Sequence, residues 1–277
     1  MWHMFTQMGI WKMSKNDTIF IIGSGPSLKQ VDMHLLKDRD TFSMNRQYIA
    51  YKDWGFYPTY YAMIDGALLQ TRWGFKRNIE PDMINNDECG IDKYFFATHH
   101  NEDGYLNKFK DRENETSVML LIDGQATLAE DKVSFLSNGN KEFNKLVGKE
   151  VMHPKAYGNC GIFATNLSFM MGYRRIVLLG MDLKYFDWEE SVAAGEDLSH
   201  FHPKYFDVDL FEECETHGPP CRDGGNTTTK PWEETTTSIN KIFSEAGLTQ
   251  PQIISATPDS PLNSVFEYIP FDEIVRE

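Results

Sequence analysis

Basic residues are scarce in this chain. Its 27 lysines and arginines face 41 aspartates and glutamates, a net charge of -14. A nucleic-acid binder needs a basic stripe to displace counterions, so this balance argues against one, and it equally disfavours adhesion to an anionic membrane through general charge. A local basic pocket for an anion stays compatible with it. No uninterrupted apolar run approaches the length of a membrane-spanning helix. Residues 1–17 lack the charged start and long apolar centre of a secretory signal, and read as an extension ahead of the first strand. Cysteine is almost missing. Cys89, Cys160, Cys214 and Cys221 form no regular framework, which points to a reducing compartment and a cytoplasmic location. Internal repeats are absent as well.

Hydrophobic residues make up 41% of the sequence, enough for a sizeable core, and 277 residues suffice for one large α/β domain. Thr18–Ile22 is a short apolar run bounded by glycine and reads as a buried strand. Pro26 suits the first position of a following helix, because its missing N–H would be unpaired there in any case. The apolar stripe Leu28, Val31, Leu35 extends that helix. Further strands are expected at 40–44, at the end of 57–64, at 94–98 and at 117–122. Residues 161–171 form an apolar helix that Gly172 stops, and 175–179 is a fully buried strand ending at Gly180-Met181-Asp182. From 186 to 230 the chain turns acidic, aromatic and rich in Gly, Pro and Thr, as expected of a mobile lid. A helix resumes near Pro231-Trp232, and 252–255 is a last short strand. Strands alternating with helices predict a Rossmann-like α/β domain over 18–277, with a mostly parallel sheet covered on both faces and the lid inserted.

The chemistry centres on the turn Gly23-Ser24-Gly25-Pro26-Ser27. A strand leading through glycines into a helix start exposes backbone N–H groups and the positive end of the helix dipole, a setting for phosphate. No Gly-Lys-Ser/Thr follows, so the turn is not a P-loop, and Leu28 occupies the third glycine position of a dinucleotide fingerprint. About twenty residues on, where a dinucleotide binder places a carboxylate for the ribose, stands Asn45. An amide both donates and accepts, so a mononucleotide is expected rather than NAD.

Taken together, Ile21–Leu28, Asn45 and the later run Gly161…Gly172-Tyr173-x-x-Ile176-x-Leu178-x-Gly180-x-Asp182-x-x-Tyr185 resemble the bacterial sialyltransferases of glycosyltransferase family 42. They also resemble a related Rossmann-like group that includes flagellin-glycosylation accessory factors and archaeal hydroxymethylpterin pyrophosphokinase. Ser199-His200-Phe201-His202-Pro203-x-Tyr205-Phe206 is similar to that second group. The sialyltransferase resemblance implies a CMP-sugar donor, a glycan acceptor, inversion and no required metal. It implies nucleotide-binding roles for Gly23, Ser24, Gly25, Pro26, Ser27, Asn45 and Asp65, and for the loop Asn159-Cys160-Gly161. Asp182 is a further candidate from its place at a strand's carboxyl end, where α/β folds bind ligands, the alternative being a cap of the next turn. It also implies that Tyr185 steadies the leaving phosphate and that His202 is the base, with His200 and His217 as rivals. Ser24, Asn159-Cys160 and Asp65 depart from the residues usual in that family, so the donor sugar stays open, as does homo-oligomerisation.

Two alternatives accompany this reading. A pyrophosphokinase-like enzyme would use Mg²⁺ held by carboxylates such as Asp65, Asp182 and Asp209. A non-catalytic accessory protein would keep the fold and serve glycan assembly. Asp207-Val208-Asp209 has a metal-binding spacing but lies in an acidic loop, and Cys214-x-x-His217-x-x-x-Cys221 lacks a fourth zinc ligand at the usual spacing. Cys160 has no activating base in its sequence vicinity.

Overall fold

The computed structural model describes residues 17–63, 93–98, 118–122, 159–170, 173–184, 188–203, 205, 229–245 and 249–277. Asp65, Tyr185, Asp207, Asp209, Cys214, His217 and Cys221 lie outside the described residues.

Eight described strands form one sheet: β1 (Thr18–Ile22), β2 (Thr41–Met44), β3 (Tyr60–Met63), β4 (Lys93–Thr98), β5 (Val118–Ile122), β6 (Arg175–Leu179), β7 (Gln252–Ser255) and β8 (Glu267–Tyr268). Their order is β5-β4-β3-β2-β1-β6-β7-β8, and every pairing is parallel. The order reverses at β1, which pairs with β2 on one side and β6 on the other. Such a reversal opens a crevice at the strands' carboxyl ends, where α/β folds bind their ligands. The seven strands expected from sequence are all present. The two-residue β8 was not expected, being too short to carry a periodic signal.

The two-residue period of β1 divides the core. Ile19 and Ile21 face a cluster with Phe42, Met44 and two helices, α2 (Cys160–Met170) and α4 (Lys230–Glu245). Phe20 and Ile22 face the other cluster, with Leu28, Leu36, Val177, Leu179 and the short helices α1 (Tyr51–Trp54) and α5 (Phe271–Ile274). Between β6 and α4 the chain adds α3 (Trp188–Ala194). Helix α2 is buried along its described length because it lies between the sheet and α4. That explains its continuous apolar sequence, and its hydroxyls are absorbed locally: Thr165 donates to the Gly161 carbonyl and Ser168 to that of Ala164, both at 2.8 Å.

The stretch after β1 departs from expectation. In place of one helix it forms two short 3-10 turns, Pro26–Gln30 and Met33–Leu36. Val31 adopts an extended conformation between them, and the Asp32 carboxylate caps the second turn by accepting from the His34 N–H. A capping aspartate competes with helix continuation by offering the backbone a local partner.

Candidate functional site

The turn after β1 sits at the sheet reversal, but its amides are not bare. Gly23 N–H donates to the Leu179 carbonyl at 2.6 Å and Gly25 N–H to that of Gly180 at 2.9 Å. Ser27 donates to the Asp182 carboxylate twice, through Oγ at 2.7 Å and N–H at 3.3 Å. The expectation of open donors at a helix start is therefore corrected. The opening helix is a five-residue 3-10 turn with a small dipole, and the chain's own carboxylate holds its head. The glycines are required by the protein's own packing. A Cβ on Gly23 would stand 2.3 Å from the Gly180 carbonyl oxygen, and one on Gly25 would stand 1.8 Å from Asp182 Oδ2. Pro26 occupies the first turn, as its fixed φ predicts. Burial pushes the Asp182 carboxyl above its ordinary range, with the Ser27 hydrogen bonds pulling the other way.

Asn45, at the carboxyl end of β2, has φ of 51°, a left-handed conformation that asparagine tolerates better than most residues. Its carbonyl accepts from the Tyr61 hydroxyl at 2.7 Å. Its side-chain Oδ1 is buried and has no hydrogen-bond partner among the described residues. Beside it the fully buried Gln47 bridges the strand ends. Its Oε1 accepts from Met44 N–H at 3.1 Å, while Nε2 donates to the carbonyls of Ile22 and Gly23 at 2.6 and 2.7 Å and to Ser24 Oγ at 3.2 Å.

The loop before α2 acts first as a cap. Asn159 Oδ1 accepts from the N–H groups of Gly161 at 2.9 Å and Ile162 at 3.2 Å, which occupies two of the donors that a helix start leaves over. Cys160 is buried, its thiol directed to the Ala62 carbonyl on β3 at 3.6 Å. Gly161 packs on Met181, which would lie 2.9 Å from an added Cβ. This loop thus lies against both β3 and the end of β6.

The described part of the expected lid docks on the glycine turn. Phe201 N–H donates to the Ser24 carbonyl at 3.0 Å, and the Tyr205 hydroxyl donates to Ser24 Oγ at 3.0 Å. Arg46 Nη1 donates to the Tyr205 carbonyl. His200 is buried against Tyr205, their rings stacked at 4.1 Å and 6° from parallel. The Nδ1 of His200 stands 2.8 Å from Asp197 Oδ2. A carboxylate only accepts, so Nδ1 is the donor in this pair. His202 is placed differently. It meets Phe201 edge-on and lines a groove of about 260 Å³ with Leu28, His34 and Trp54, between the 3-10 turns and α1. The structure thus brings Gly23–Ser27, Asn45, Asp182 and His200 to one sheet edge, and sets His202 in a separate groove.

Asp197, Tyr205, Arg46 and Gln47 were missed by the sequence reading. An aspartate three residues before a histidine was a usable signal for the first, and the aromatic close behind His202 for the second. Nothing in the sequence marks Gln47. Among the described residues no three His, Cys, Asp or Glu side chains converge in a metal-binding cluster, and no helix is long and apolar enough to cross a membrane.

The sequence matches no protein-family model and no curated protein. Solved structures do match. The chain is similar to the monofunctional alpha-2,3-sialyltransferase Cst-I from Campylobacter jejuni, with a TM-score of 0.53 and 19% identity over 92% of this chain and 81% of that one. The sialyltransferase CstII from the same organism, in complex with CMP-3FNeuAc, gives a TM-score of 0.46 and 17% identity over 91% of this chain and 86% of that one. The resemblance to glycosyltransferase family 42 read from the turn, Asn45 and the β6 end therefore extends to the fold, and the protein has the Rossmann-like α/β architecture seen in Cst-I.

Proposed function

We propose that this protein is a sialyltransferase-like glycosyltransferase. It would transfer a sugar from a CMP-sugar, or a related nucleotide sugar, to a glycan hydroxyl with inversion and without a required metal. One observation carries the reading. At the reversal of a sheet with the Cst-I fold, the carboxyl edge gathers a buried unpaired acceptor, Asn45 Oδ1, and a histidine whose Nδ1 is held by a carboxylate. An orphaned buried oxygen is costly unless something supplies a donor, and a nucleotide's amino or hydroxyl group would do so.

In the step itself, the acceptor hydroxyl attacks the anomeric carbon of the sugar. His200 Nε2 takes the hydroxyl proton, and the bond from that carbon to the phosphate oxygen breaks. CMP departs with the bonding electron pair, its charge steadied by the Ser24 hydroxyl, since the amides of Gly23, Gly25 and Ser27 are already engaged. His200 replaces His202 as the base in this reading, because it lies at the turn whereas His202 lines the separate groove. The few, scattered cysteines support a reducing cytoplasmic setting.

Thermal denaturation in chelator with and without CMP tests the proposal. A ligand at 100 times its Kd stabilises by about 2.7 kcal/mol, a shift of several degrees at least. A rise with CMP, together with release of free sugar or transfer from a CMP-sugar, is expected. No response to CMP, or stabilisation by ATP only when Mg²⁺ is present, would reject it in favour of the pyrophosphokinase-like alternative or an accessory role.

A further inference from the structure

Ser24 stands where two networks meet. Its Oγ accepts from Gln47 Nε2 at 3.2 Å and from the Tyr205 hydroxyl at 3.0 Å. A serine hydroxyl has two acceptor lone pairs and one proton. The Gln47 amide has two N–H groups for three acceptors, so its longest contact, to Ser24, is a shared one, while the Tyr205 hydroxyl is a full donor to Oγ. Tyr205 thus turns the Ser24 proton away from itself, which makes Ser24 a donor to a ligand at the turn. Burial holds the Tyr205 phenol well above its ordinary pKa, so it keeps the proton it donates. Tyr205 is itself fixed three ways: its ring on His200, its carbonyl on Arg46, its hydroxyl on Ser24. His200 is fixed by Asp197 through Nδ1 and by Tyr205 across its face.

We propose that Asp197, His200, Tyr205 and Ser24 form one positioning chain that couples the base to the group holding the donor's phosphate. In this chain Ser24 donates a hydrogen bond to an anionic oxygen of the nucleotide and keeps its proton, and Gln47 and Tyr205 orient it. Asp197 selects the His200 tautomer that is basic at Nε2. Tyr205 is a positioning residue that sets the distance between the two ends. The inference rests on the glycosyltransferase reading for the identity of the anion, but the tautomer and the hydrogen-bond chain are properties of the protein alone.

Four variants and three readouts test it. ¹⁵N imidazole spectra at neutral pH are expected to show His200 in its Nδ1-protonated form, and Asp197→Asn is expected to populate the Nε2-protonated form. In turnover, Asp197→Asn should lower kcat about 10- to 100-fold with the donor KM within about twofold, the pattern of a disturbed general base. Tyr205→Phe, which keeps the stacking and removes only the hydroxyl, should lower kcat about 3- to 10-fold, and Ser24→Ala should weaken CMP binding about 10-fold, as for one lost hydrogen bond to a charged group. In CMP binding, Ser24→Ala/Tyr205→Phe should lose little more than Ser24→Ala alone, because the Tyr205 hydroxyl acts on the nucleotide only through Ser24. Multiplying effects in the double variant, or an Asp197→Asn enzyme with full kcat, would overturn the proposal, since a merely structural role would lower Tm and leave kcat alone. An Nε2-protonated His200 in the unaltered protein would overturn it too. If the unaltered protein neither binds CMP nor turns over a CMP-sugar, the functional reading fails, while the spectra still decide the positioning claim.

Discussion

Gly25→Ala separates the protein's own use of the glycine turn from a ligand's use of it. The backbone there is extended, with φ of -72° and ψ of 158°, so alanine meets no dihedral penalty. The whole effect must come from the new methyl. An ideal Cβ would lie 1.8 Å from Asp182 Oδ2, 2.5 Å from Cγ and 2.8 Å from Cβ. The carboxylate has to swing away, breaking its contacts to Ser27 Oγ and N–H. Hydrogen bonds to a charged group contribute about 1.5–3 kcal/mol each, and the 3.3 Å contact sits at the weak end. The carboxylate recovers some hydration as it leaves this partly buried position, so the net destabilisation should be about 2–3 kcal/mol. In an Asp182→Ala background the two nearest atoms are gone, and the same glycine substitution should cost less than about 1 kcal/mol, a coupling of roughly 1–2 kcal/mol. Urea denaturation of the four proteins measures it. Equal losses in both backgrounds would refute the claim that Asp182 is what holds Gly25 small.

Three further outcomes are expected. The raised Asp182 pKa means that the folded chain holds this proton more tightly than the unfolded one, so its contribution is favourable below the ordinary carboxylate pKa and is lost as pH rises through the folded value; the Tm of Asp182→Asn relative to the parent should therefore increase from acid towards neutral pH. Gly180 and Gly195 both have positive φ, 66° and 70°, but a Cβ at Gly180 would stand 2.6 Å from Leu28 Cγ while Gly195 has nothing within 4 Å. Gly195→Ala should cost about 1 kcal/mol for the left-handed backbone alone, and Gly180→Ala should exceed it by about 1–3 kcal/mol in denaturant titrations. Asn159→Ala, which removes the cap of α2, should destabilise by about 1 kcal/mol, and Asn159→Asp should retain most of the stability.

The amino-acid order alone determined the layered α/β architecture. Runs such as Thr18–Ile22 and Arg175–Leu179 can be satisfied only by burial on both faces of a parallel sheet, and the apolar α2 only between sheet and helix. It also brought Gly23–Ser27, Asn45 and Asp182 to the carboxyl edge, because each directly follows a strand of known direction. What it left undecided were the partners of polar groups. Whether the turn's N–H groups meet a ligand, the carbonyls at the end of β6 or the Asp182 carboxylate depends on how β1 and β6 register, two strands whose first residues, Thr18 and Arg175, pair across most of the chain's length. The same holds for the histidines. His200 and His202 differ little as neighbours in sequence, yet folding stacks one on Tyr205 beside Asp197 and turns the other into a separate groove. Hydrophobic periodicity is a local property and survives in the sequence, whereas hydrogen-bond pairing at the site is a contact between distant segments that exists only once the sheet has closed.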